Sequence, residues 1–195
     1  MKKKMTTVMI VHLILMGILA VMNVYAIIRS LAMSADENSV FRQQYGSTGV
    51  LYVAIWFFNI AALVFGIVYL LRGYEKNAAG FYKAYLLIVT AVFVLRAVAV
   101  LYIFQSFTIN LLLSIINIVL FLVLAFWPNL GKRATWILFI VLVILNLVGG
   151  FLWTNSGSDV AVFRVISVLS RLLFLGTVGL NIRGKYEDKD ARGTV

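Results

Sequence analysis

The 195 residues are 63% apolar and 12% charged, with a net charge of +10 and no cysteine, whereas a soluble domain carries about 45–50% apolar and about 25% charged residues. Water is therefore excluded as the solvent of most of the chain. The missing thiol excludes disulfides, thiolate-held metals, iron–sulfur clusters and cysteine catalysis.

The first apolar run, residues 5–28, follows Lys2, Lys3 and Lys4. These lysines and the later Ala32, Ser34 and Ala35 mimic a cleavable signal peptide, but a signal's apolar core covers about 7–15 residues and this run is longer. A retained first helix is expected. Residues 29–48, with Asp36, Glu37, Asn38, Gln43 and Gln44, read as the one long loop. Further spans follow at 49–71, 81–104, 107–127, 134–153 and 160–182, each long enough to cross a hydrocarbon core about 30 Å thick. The third and fourth meet in a tight hairpin near Gln105, and Pro128 stands where the fourth should stop. A mixed-charge tail, 183–195, reads as a solvated end. The predicted fold is all-α: a polytopic bundle of six transmembrane helices in a single domain, 1–195.

Orientation follows from the retention of Lys and Arg on the cytoplasmic side of short loops. Lys2, Lys3, Lys4, Arg72, Lys76, Lys83, Lys132, Arg133, Arg183, Lys185, Lys189 and Arg192 all fall at one end of the helices. Only Arg29 and Arg42 fall at the other. Both termini are therefore expected in the cytoplasm and the 29–48 loop outside. The expected location is a plasma membrane, with a prokaryotic source, and the net charge encodes topology instead of nucleic-acid binding.

Three arginines lie inside spans: Arg96, Arg164 and Arg171. An Arg at a helix centre costs roughly 2.5–3.5 kcal/mol on insertion scales, so each needs a reason. At about 1.5 Å rise per residue all three fall in the outer half of the membrane. Turning about 100° per residue places Arg164, Ser167, Ser170, Arg171, Thr177 and Asn181 within about 140° on helix six. Asn110, Ser114 and Asn117 align within about 60° on helix four, as do Tyr52, Trp56 and Asn59 on helix two. Every Asp and Glu lies in a loop or tail. Arginine forks suit carboxylate or phosphate, which selects Arg96, Arg164, Arg171, Asn117, Asn59 and Trp56 as candidate ligand-binding residues. Two other outcomes satisfy the same arginines: capping of carbonyls with snorkelling, and pairing with acidic residues of a partner subunit. Any single Asn is, by frequency, interhelical glue, and the pairs Gly149/Gly150 and Gly176/Gly179 read as close-packing positions.

His12 is the lone histidine, and no carboxylate lies within a span. Bis-histidine haem, ordinary metal sites and a Ser–His–acid assembly are thus not supplied, and no cofactor, metal or catalytic residue is expected. No Walker A loop is present to harvest ATP. The expected function is a non-enzymatic binding or transport subunit for a small anionic solute, with a pocket open to the outside and the long loop as its cover. The alternatives are an assembly or scaffold subunit, or a small anion channel.

The layout resembles that of the substrate-binding S subunits of energy-coupling-factor vitamin importers, at the level of topology. Such a likeness implies a six-helix protein with an external pocket and an energising partner subunit. The small-residue stripe that would dock that partner on helix one is reduced here to Gly17 and Ala20.

Overall fold

The structure, a computed structural model, describes residues 6–36, 49–73, 79–104, 109–128, 130–151 and 158–190. The helices are α1 (Thr7–Ala35), α2 (Gly49–Val68), α3 (Ala79–Phe104), α4 (Ile109–Phe126), α5 (Lys132–Phe151) and α6 (Ser158–Asp190). A π-helical turn, Tyr69–Gly73, extends α2. Among the described residues six helices are long and apolar enough to cross a membrane, the architecture of an integral multi-pass membrane protein. A backbone that cannot bond to lipid must bond to itself, and a helix does so within one segment.

Two boundaries differ from the sequence reading. Residues 29–35 continue α1 and do not begin a loop. Polarity at Arg29, Ser30 and Ser34 marks a change of surroundings, not a break in the helix. Ser34 Oγ donates back to the Ser30 carbonyl at 2.8 Å, and the chain leaves the helix only at Asp36, whose backbone is extended. Residues 37–48 and the hairpin at 105–108 lie outside the described residues. At the other terminus α6 continues through Asp190, so residues 183–190 of the expected solvated tail are helical. Tyr186 is buried there. Its hydroxyl donates to the Leu130 carbonyl at 2.7 Å and lies 3.1 Å from Thr135 Oγ1, while Lys185 Nζ donates to the Pro128 carbonyl. The last turns of α6 are thereby tied to the α4–α5 turn that Pro128 opens.

Each helix packs on the next in sequence, α6 closes the ring against α1, and α2 meets α6 across the middle. Large apolar side chains such as Ile14, Val21, Phe57, Val98, Ile115 and Ile140 face outward. Lipid is as apolar as those side chains, so helix association rests on shape and on polar contacts. Gly176 leaves room for the His12 ring, Gly66 for Met16 and Tyr85, and Gly179 for Phe139. Tyr85, Phe121, Phe174, Met16 and Leu63 fill the centre.

The polar contacts join specific pairs of helices. Asn23 Nδ2 donates to Ser170 Oγ at 3.1 Å, linking α1 to α6. Asn146 Nδ2 donates to Asn117 Oδ1 at 2.7 Å, linking α5 to α4. His12 Nε2 and Thr177 Oγ1 lie 3.0 Å apart, and Tyr85 OH donates to the Phe174 carbonyl at 3.0 Å. Asn181 Nδ2 donates to Tyr69 OH.

Candidate functional site

All six helices contribute to one cavity of about 90 Å³. Since a single water needs roughly 10–15 Å³ on this scale, it has room for several water-sized groups. It sits at the end of the bundle where α1 finishes and α2 begins. Ser30 comes from the last turns of α1, Tyr52, Ile55 and Trp56 from the first turns of α2, and Phe93 and Arg96 from the second half of α3. Asn110, Leu113, Ser114 and Asn117 line it from α4, Leu145 and Gly149 from α5, and Phe163, Arg164, Ser167 and Arg171 from α6. Spacings of three and four residues on each helix put these side chains on its inward stripe.

Five of the six residues selected from sequence line this cavity: Arg96, Arg164, Arg171, Asn117 and Trp56. The sixth does not. Asn59 follows Trp56 by three residues, is fully buried, and bonds through neither amide atom; angular alignment with Trp56 placed it on the right face but one turn too deep. Asn117 reaches the cavity wall already committed, its Oδ1 accepting from Asn146 and its Nδ2 donating to the Leu113 carbonyl at 2.8 Å. Its main role is therefore to join α4 to α5.

The arginines are half-buried. Arg171 Nε donates to the Ser167 carbonyl at 3.4 Å, a long and weak bond. Arg96 Nε has no hydrogen-bond partner, and Arg96 and Arg171, from α3 and α6, present like charges to the same cavity. None of the described lining residues is Asp or Glu. Trp56 and Phe163, with ring centroids 5.9 Å apart, form an apolar wall beside the charged groups.

Sequence reading had already aligned Tyr52 with Trp56, Ser167 with Arg164 and Arg171, and Asn110 and Ser114 with Asn117, and all of them line the cavity. It missed Ser30, which it placed in a loop, and Gly149, which it read as a close-packing position. Phe93 and Phe163 carry no signal that distinguishes them from core aromatics.

Chemically the cavity can hold a group rich in hydrogen-bond acceptors. Its hydroxyls have no base beside them: His12 lies about 27 Å along α1 from Ser30 and bonds Thr177. Among the described residues no three His, Asp or Glu side chains gather as metal ligands. No protein-family model, no curated protein and no solved structure matches the chain, so the cavity itself carries the functional argument.

Proposed function

We propose that the chain is a membrane-embedded binding or transport subunit for a small anionic solute. The observation that carries this reading is that Arg96, Arg164 and Arg171, from two helices that are distant in sequence, line one cavity whose described lining contains no carboxylate. Cations held in a poorly polarisable interior demand a counter-charge, and an arginine fork supplies paired donors for an oxyanion. The twelve Lys and Arg at the opposite end of the helices favour a cytoplasmic location for that end, so the cavity faces outward. The chain brings no nucleotide-binding loop, and transport would therefore draw its energy from a partner subunit.

The test is thermal unfolding of the detergent-purified chain with small phosphates and carboxylates. Stabilisation that disappears in Arg96→Ala and Arg171→Ala is the expected result. If a partner's acidic residues completed the site instead, anions would leave the unfolding temperature unchanged and Arg171→Ala would break a stoichiometric complex recovered from membranes.

A further inference from the structure

Bare hydrogen-bonding groups line the cavity beside its charges. Trp56 Nε1, Arg96 Nε and Ser30 Oγ are buried without a partner, and Trp56 and Ser30 are themselves 4% and 0% exposed. An indole or guanidinium N–H can only donate. Two of the acceptors around the cavity are already in use: Asn117 Oδ1 takes the Asn146 amide, and the Asn110 carbonyl takes the Ser114 hydroxyl at 2.9 Å. Donors therefore approach the cavity from α2, α3 and α6, in more than one plane.

Charge narrows the ligand further. Arg96 and Arg171 line the same cavity, and one negative charge there would leave one of these two guanidiniums uncompensated, whatever Arg164 pairs with. Two charges on one molecule neutralise both. A monocarboxylate presents two oxygens in a single plane and a halide has no directional acceptors, so neither matches donors spread over three helices. Resting on the anion-binding reading above, we infer that the ligand is a compact multivalent oxyanion, with at least two negative charges spread over three or more oxygens, bridging Arg96 and Arg171. A phosphate monoester, a phosphonate, sulfate or a short dicarboxylate has this chemistry, and the Trp56–Phe163 wall accepts a short apolar substituent. The same phosphomonoester group also occurs on the headgroup of phosphatidate.

The full chain in neutral detergent is unfolded thermally with chloride, acetate, sulfate, malonate and methyl phosphate at matched ionic strength, and separately with short-chain phosphatidate. At a hundredfold excess over Kd the divalent anions should raise the unfolding temperature by about 5–10 °C, with chloride and acetate giving less than a quarter of that shift at the same concentration. The methyl phosphate effect should grow from pH 5 to pH 7 as its second proton, with a pKa of about 6, is lost; the sulfate effect should not. Arg96→Met should bring divalent anions down towards the monovalent level. Arg96→Lys keeps the charge and should keep the divalent preference, and it serves where the methionine variant fails to fold. Stabilisation by phosphatidate alone would support the same chemistry with lipid as its source. Equal stabilisation by acetate and sulfate, lost in Arg171→Met, would overturn the valence inference and leave the anion site standing. No stabilisation by any anion would overturn both.

Discussion

At the Tyr85 end of the bundle nearly every buried polar group has found a partner, and at the Arg96 end several have not. His12 is matched by Thr177, Tyr85 by the Phe174 carbonyl, Tyr186 by Leu130 and Thr135, and Asn181 by Tyr69. Glycines there make room for side chains of neighbouring helices. Around Arg96, by contrast, Trp56, Ser30 and Arg96 itself hold bare polar atoms at the wall of an open volume. A satisfied polar group is a fastener between helices. An unsatisfied one lowers stability, by about 1–3 kcal/mol for an uncharged group and more for a charged one; beside a cavity a ligand can reach it, whereas Asn59 is bare and buried away from the cavity. On the anion-binding proposal, the difference separates a scaffold half from a working half within one chain.

The largest expected effect lies in the working half. Removing one member of a buried, hydrogen-bonded charge pair costs about 2–5 kcal/mol, so Arg171→Ala should weaken anion binding roughly 30-fold or more, read by titration calorimetry on the purified chain. Stability of the unliganded protein should hold or rise, because a buried cation has been removed. A fall in that stability comparable to the loss in binding would make Arg171 a fastener and erase the contrast.

Next in size is a substitution in the scaffold half. A β-carbon at Gly176 would come within 2.5 Å of the His12 ring, and overpacking of this kind costs typically about 1–3 kcal/mol. Gly176→Ala should therefore lower the unfolding temperature by several degrees, while anion affinity, set some distance away, stays the same. In a His12→Ala background most of the penalty should vanish.

How much of this was legible beforehand follows from which forces act along one helix and which act between helices. Apolar length fixed six spans, and the price of a buried cation drew attention to Arg96, Arg164 and Arg171, whose common depth follows from the helical rise alone. Their convergence needs the order in which helices pack, which no periodicity contains. For the same reason Asn117 and Asn146 were recognisable as polar groups at a shared depth, while their pairing was not. Ser30 was lost because polarity was taken as the end of a helix, when α1 continues to Ala35. Asn59 shares the face of Trp56 but does not line the cavity.

The Asn117–Asn146 pair tests whether a fastener can sit at the cavity wall without serving it. Interhelical hydrogen bonds in membranes average about 0.6 kcal/mol and reach about 1.7, so Asn146→Leu should destabilise modestly. Combined with Asn117→Leu in a double-mutant cycle, the coupling should fall in that range. Anion affinity should change less in Asn146→Leu than in Arg171→Ala by at least tenfold.

The smallest effect is the sharpest test of the contrast, because it places the same substitution in each half. Gly149 and Gly176 are both helical glycines facing a neighbouring helix, yet a β-carbon at Gly149 would meet Leu113 at 3.5 Å and Arg171 Nη1 at 3.7 Å, ordinary van der Waals distances. Alanine also favours the helix over glycine by about 1 kcal/mol. Gly149→Ala should therefore leave the unfolding temperature of the free protein unchanged or slightly raised. The added methyl group projects beside the Arg171 guanidinium, however, and occupies part of a cavity of about 90 Å³. Anion-induced stabilisation should shrink while intrinsic stability does not, the reverse of the pattern at Gly176. If Gly149→Ala destabilised the free chain as much as Gly176→Ala, the two ends would be packed alike, and the open volume would be no more than an imperfectly filled interior.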